Sequence, residues 1–239
     1  MDSITVLGAS RNRPEKMAEV IENWTNKSCK KYKIDFVVSI DDDDEKSESY
    51  KQILEEKSKK LDIEIRLLIN SNKNTVEAIN RCKDYIKGDL IVVFSDDTEC
   101  PDNWDEELIT CDKKGMEDFI IKVGDGINED LITMPIFSRK YLEKKDYIYN
   151  PIYSHMFCDT EITCVAHMEG VVIKLDDLIF NHIHYSQDKR EKDYVDEKNQ
   201  NTFYRGFQIF KERYRNYFGL DKQKMEKIPL SIKNWIKNA

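Results

Sequence analysis

The sequence predicts an α/β fold, a mostly parallel sheet flanked by helices with a C-terminal helical extension. Three observations carry that expectation. Short apolar, β-branched runs at 4–8, 35–40, 63–69 and 90–94 alternate with segments of helical period. The connections between them are short, so each strand–helix–strand unit is a right-handed crossover joining parallel neighbours. The run at 90–94 is apolar throughout, as a strand covered on both faces must be, and it ends abruptly at Asp96 and Asp97.

The elements follow in order. Pro14 suits the first helical position, and Met17, Val20, Ile21 and Trp24 recur at helical spacing behind it. The second strand stops at four successive Asp residues, 41–44. Tyr50, Ile53, Leu54 and Leu61 mark the next helix. Asn74 with Glu77 reads as a capping box for a helix whose stripe is Val76, Ile79 and Ile86, ending before Gly88. Past Asp97 the pattern becomes irregular: a short helix at 105–111, then a Gly- and acid-rich loop at 123–130. A strand at 132–137 contains Pro135, which places it at an edge or a bulge. A helix at 138–145, an aromatic stretch at 146–157, a helix at 159–168 and strands at 171–175 and 178–182 complete the body. Residues 187–200 are highly charged and expected to be mobile. The segment 202–218 is an aromatic and basic amphipathic helix carrying Phe203, Phe207, Phe210, Tyr214 and Tyr217.

Composition sets limits. A net charge of −8 argues against nucleic acid as a partner through the bulk surface. The six cysteines form no C-x-x-C pair and the first residues do not read as a signal peptide, so a cytoplasmic protein with reduced thiols is expected. No apolar run approaches the roughly 20 residues of a transmembrane segment. Three fates are open to the C-terminal helix with Arg205, Lys211, Arg213 and Arg215: packing on the core, a homodimer contact, or peripheral membrane contact.

The chemistry gathers at one sheet edge. Two Asp side chains cannot follow a core strand inward unpaired, so Asp96 and Asp97 emerge at its carboxyl end, where open α/β sheets bind ligands. Adjacent carboxylates there suit Mn²⁺ or Mg²⁺, or else form an acidic turn. The loop Ser10-Arg11-Asn12-Arg13 ends the first strand at the same edge and offers donors for phosphate or a base, without the glycines of a dinucleotide or Walker loop. Asp41 and Asp42 end the second strand there.

Taken together, Thr5-Val6-Leu7, Ser10 to Pro14, Val37 to Asp42, Asn74 with Ala78 and Asn80, Gly88-Asp89 and Phe94 to Asp97 resemble family 2 glycosyltransferases of the GT-A fold. The resemblance runs from about residue 3 to about residue 185. It implies a catalytic domain over 1–187, with a nucleotide-sugar-binding half (1–99) and an acceptor-binding half (100–187). Residues 188–239 are then a charged linker and the helical extension. It also implies a metal-dependent inverting transfer of a hexosyl or N-acetylhexosaminyl group from a nucleotide sugar, UDP-linked, to a hydroxyl on a glycan, a lipid-linked acceptor or a protein.

By position the resemblance gives Asp97 to the Mn²⁺ or Mg²⁺ and Asp96 to the ribose or a share of the ion. Thr98 replaces the last acid of the family's D-x-D pattern, which leaves the division between the two Asp residues open. Ser10, Arg11, Arg13, Asp41, Asp42 and Asn74 become nucleotide-binding candidates, while Asn80 reads more as packing. Asp159-Thr160-Glu161 resembles the acidic segment carrying the general base, with Asp159 as that base and also suited to cap a helix. His182 and His184 share one strand face, and either could reach the metal. Trp104, Gly126, His155 and Glu161 are acceptor or sugar candidates, although a Trp opening a helix also reads as core. Two rival readings are a sugar nucleotidyltransferase, disfavoured by the glycine-poor first loop, and a catalytically silent nucleotide- or carbohydrate-binding module.

Overall fold

The computed structural model describes residues 1–183, 197 and 201–238. Its first half is β1 (Ser3–Ala9), α1 (Pro14–Lys27), β2 (Lys33–Asp41), α2 (Ser47–Leu61), β3 (Glu64–Asn70), α3 (Thr75–Arg81) and β4 (Leu90–Val93). These four strands are parallel in the order β3-β2-β1-β4, as the alternation predicts. Gly88 sets up the last of them, because a Cβ there would stand 2.3 Å from the Thr5 amide; only glycine lets the turn lie against β1.

The second half contains β5 (Thr98–Glu99), α4 (Trp104–Thr110), β6 (Ile120–Gly124), β7 (Ile136–Ser138), α5 (Arg139–Glu143) and α6 (Cys158–Glu169). It continues through β8 (Val172–Ile179) and β9 (Asn181–His182) to α7 (Phe203–Arg215) and α8 (Leu230–Asn238). The full sheet has seven strands in the order β3-β2-β1-β4-β7-β6-β8, with β7 antiparallel to both neighbours. The strand expected at an edge because of Pro135 is therefore internal. Pro135 precedes β7, where its missing N–H is not needed, and its carbonyl accepts from Val93 N at 3.1 Å. β6 overlaps the stretch expected to be loop. Lys122 interrupts its apolar pattern, yet that side chain is buried with Nζ on Asp176 Oδ1 at 2.6 Å.

Alternation along the strands divides the core between two faces. Ile4, Val6, Phe36, Val38, Leu90 and Val92 pack with α1, α2 and α4 residues. Leu7, Val37, Ile91 and Val93 pack on the other face with α3, α6, α7 and α8 residues. Of the three fates open to the C-terminal helix, the first is realised: Phe207, Phe210, Ile232 and Ile236 belong to that second core. The charged stretch 187–200 and His184 lie outside the described residues, Glu197 excepted.

Candidate active site

β1, β2 and β4 all deliver their carboxyl ends to one edge, so the three loops that follow meet there. After β1, Ser10 Oγ donates to Asp96 Oδ2 at 2.8 Å and Arg13 Nη1 donates to Asp96 Oδ1 at 2.9 Å. Tyr50, fully buried on α2, joins this group. Its hydroxyl accepts from Arg13 N at 3.0 Å and stands 2.6 Å from Ser10 Oγ. Because Tyr50 accepts from the Arg13 amide and Ser10 donates to Asp96, one direction satisfies every proton: Arg13 N–H to Tyr50, Tyr50 to Ser10, Ser10 to Asp96. Burial raises the pKa of Asp96 above the usual carboxylate range, against the opposing pull of Arg13.

Arg11 donates through Nη1 to Asp41 and to Asp43, so its guanidinium is spanned by acids after β2. Asn72 Nδ2 holds the other Asp41 oxygen at 3.1 Å. Both arginines expected to receive phosphate are thus engaged with carboxylates, and they organise Asp41 and Asp96. Asp42 is exposed, and its amide donates to Asn70 O at 2.9 Å. Asp44 supports the loop by accepting from Asn12 N at 2.8 Å and Lys46 N at 2.8 Å.

After β4, Ser95 Oγ donates to Asp97 Oδ1 at 2.5 Å and pairs with Thr98 Oγ1 at 2.8 Å. The residue standing where the family has an acid therefore helps to fix Asp97. β5 pairs antiparallel with β9, setting Thr98 opposite His182 across 84 residues of sequence. This ladder places His182 Nε2 3.1 Å from Asp97 Oδ1, while Ile183 N donates to Asp97 O at 2.7 Å.

Among the described residues no three His, Cys, Asp or Glu side chains form a metal-binding group. The two-donor edge nevertheless fits an ion of the expected kind. A carboxylate oxygen and an imidazole nitrogen are donor types that Mn²⁺ or Mg²⁺ accepts, and Asp97 and His182 would be the side chains to hold it.

The acceptor side is built from α6 and the loop before it. Asp159 lies in the first turn of α6, whose N-cap is Phe157 and not Asp159. Its Oδ1 accepts from Thr160 N at 2.7 Å, and burial raises its pKa, with Asp125 adding repulsion. Asp125 gathers its own loop: Ile127 N, Asn128 N and Thr133 Oγ1 all donate to its carboxylate, while its carbonyl accepts from His182 N at 3.2 Å. Gly126 supplies the left-handed residue of that turn, at φ +74°. His155 is close enough to Asp97 to feel its charge, but burial dominates and brings its pKa down to about 4.

Three candidates are engaged elsewhere. Trp104 is fully buried, its ring 4.9 Å from Trp24 and its Nε1 donating to Trp24 O, so it is core and not a sugar platform. Asn74 caps α3 by accepting from Glu77 N at 3.0 Å, and Glu77 in turn takes Lys73 N, one residue from the expected partner. Glu161 is buried against Arg213, Tyr153 and Asn150, which rules it out as an acceptor contact. Asn80 clamps the loop at Ile148 and Tyr149, as its packing role predicts.

Tyr50, Asn72 and Arg213 are not site candidates from sequence, and Asp125 figures only within the Gly124 to Ile127 loop that could line the donor sugar. Tyr50 and Arg213 sit in helical patterns that read as core and as surface. Asp125 did carry a signal, an Asp-Gly turn with Asn128 three residues on.

The sequence profile of glycosyl transferase family 2 matches residues 5–180. The chain belongs to that family. Among solved structures, TarS of S. aureus superposes with TM-score 0.61 at 12% identity, over 76% of this chain and 36% of that one. TarS 1-349 in complex with UDP-GlcNAc has TM-score 0.61 and 12% identity, over 81% of this chain and 60% of the other. The mannosyltransferase PcManGT from Pyrobaculum calidifontis, in complex with GDP-Man and Mn²⁺, has TM-score 0.61 at 9% identity, over 98% and 83% of the two chains. These likenesses establish the GT-A architecture. The chain therefore spans only about a third of the full TarS chain. No curated protein matches it.

Proposed function

We propose that this protein is a metal-dependent, inverting glycosyltransferase that moves a hexosyl or N-acetylhexosaminyl group from a nucleotide sugar, UDP-linked, to an acceptor hydroxyl. The observation that carries the reading is the β5–β9 ladder, which brings His182 3.1 Å from Asp97 beside the carboxyl ends of β1 and β4. Family membership and the nucleotide-sugar complexes of structural neighbours support the same class of donor.

Asp96, held by Ser10 and Arg13, has lone pairs left on each oxygen to accept ribose hydroxyls. Asp41 stands at the next strand end as a contact for the base. Asp97 and His182 would hold Mn²⁺ or Mg²⁺, whose charge stabilises a departing diphosphate. Asp159 takes the proton of the acceptor hydroxyl as its oxygen attacks the anomeric carbon opposite the leaving group. His155, neutral at pH 7 and close enough to Asp97 to feel its charge, serves as a hydrogen-bonding group for substrate. The acceptor hydroxyl belongs to a glycan, a lipid-linked saccharide or a protein.

The test is nucleotide release from UDP-GlcNAc and GDP-mannose with Mn²⁺, alone and with candidate acceptors. Asp159→Asn is expected to lower turnover about 10²- to 10⁴-fold while donor binding persists. Unchanged turnover would remove Asp159 from the role. Donor binding by the native chain with no release across the panel would favour a binding module.

A further inference from the structure

Asp159 is bracketed. Two residues before it and two residues after it, the C-terminal helices take hold of α6, and they do so from outside the stretch that the family profile covers. On the near side, the Phe157 ring lies 5.0 Å from Phe203, 5.4 Å from Phe207 and 5.9 Å from Phe210, and 6.1 Å from Trp235 of α8. Phe157 is left-handed at φ +74°, a conformation that a bulky residue keeps only when its surroundings impose it. Gly206 of α7 presses on the same turn, since a Cβ there would stand 2.6 Å from Met156 O.

On the far side, Arg213 grips Glu161 with both prongs of its fork. Nε reaches Oε2 at 2.5 Å and Nη2 reaches Oε1 at 2.7 Å. Tyr153 Oη and Asn150 Nδ2 complete the shell at 2.8 and 2.9 Å, and Glu161 is 4% exposed. Apolar packing alone would let α6 turn or slide by fractions of a residue. A planar bidentate pair fixes orientation as well as distance. The turn that carries Asp159 is thus held from both sides, by rings at Phe157 and by the fork at Glu161.

We propose that α7 is a positioning clamp for Asp159, in which Arg213, acting through Glu161, fixes the rotation of the first turn of α6. This rests on Asp159 being the base. A shift of about 1 Å in such a group costs on the order of 10²-fold in rate, so the clamp acts on turnover and leaves the donor edge of β1, β2 and β4 untouched.

The full chain is compared with Arg213→Met, Arg213→Lys, the double variant Glu161→Gln/Arg213→Met, and Asp159→Asn. The double variant leaves no buried charge unpaired, which keeps a folded protein available. Amide exchange is followed in peptides covering 157–162 and 90–98, alongside kcat and donor KM for release of nucleotide from UDP-GlcNAc and GDP-mannose. Arg213→Met and the double variant are expected to speed exchange at 157–162 about tenfold or more, with 90–98 unchanged. kcat should fall about 100-fold while donor KM stays within about twofold. Arg213→Lys keeps the charge but not the fork, so it should leave most of both defects in place, and full recovery by Lys overturns the claim that the bidentate geometry fixes the rotation. Unchanged exchange at 157–162 overturns the clamp, as does faster exchange spread equally over both regions. Full activity in Asp159→Asn overturns the base reading alone, because the exchange measurement still decides whether α7 holds the turn.

Discussion

Asp96 accepts from Ser10 and Arg13, whereas Asp97, one residue later, stands against His182, and the two carboxylates are equipped for different work. Asp97→Asn should weaken Mn²⁺ binding at least tenfold by calorimetry, in the presence of UDP, while UDP alone still binds. Equal metal affinity in the variant would return the ion to Asp96. A second residue-scale expectation concerns pH. Burial beside Lys174 and Lys122 lowers the pKa of His167 below its ordinary 6.5. The unfolded chain then binds the extra proton first, so stability is full above about pH 6.5 and declines as pH falls toward the depressed folded value. Urea midpoints measured between pH 7.5 and 5 should show that decline, and His167→Gln should flatten it. For Asp159 the raised pKa places the acid limb of kcat above the ordinary carboxylate value of 3.8, and Asp159→Asn should abolish that limb.

At the scale of elements, two-residue β5 does more for the site than its length suggests. Trp24 Nε1 donates to Thr98 O at 2.9 Å, Trp104 Nε1 donates to Trp24 O, and Phe180 packs on both rings, so an aromatic cluster under the β5–β9 ladder holds it in register. Trp104→Ala should destabilise the fold by about 3–5 kcal/mol, measured by urea denaturation, the cost of emptying a fully buried Trp site. A loss under about 1 kcal/mol would show that the ring faces solvent or ligand. The long periodic elements β1 to β4 were legible because each repeats one pattern over many residues. β7 was legible as a strand but not in its extent or place, since three residues carry too little period and Pro135 argued for an edge or a bulge where the strand is internal. Asp97 stood out as a carboxylate at a strand end and Asp159 through the family resemblance, and their roles are those of the proposed function. The roles of Glu161 and Asn74 were not legible, because a buried ion pair and a cap use the same side chains as a ligand site and differ only in which partner arrives.

Across the whole molecule, charge is uneven. Residues 203–239 carry nine Lys or Arg against three Asp or Glu, in a chain of net charge −8. The basic extension thus packs onto an acidic body, and the Arg213–Glu161 pair is where that attraction becomes a fixed contact. Sequence set the extension after a charged linker with packing on the core as its default, but only the folded partner shows which of its basic residues is buried. No helix among the described residues is long and apolar enough to cross a membrane.

The family profile stops at residue 180, but the second core runs on through Phe207, Phe210, Ile232 and Ile236. A boundary drawn where sequence kinship ends is therefore a poor place to recombine this chain with a relative. A chimera joined there would inherit one parent's Phe157 and Glu161 and the other's helix to receive them, and its two parts would meet as strangers. The useful crossover lies earlier, between β4 and α6, so that the aromatic socket and the arginine travel together with the turn they were shaped to hold.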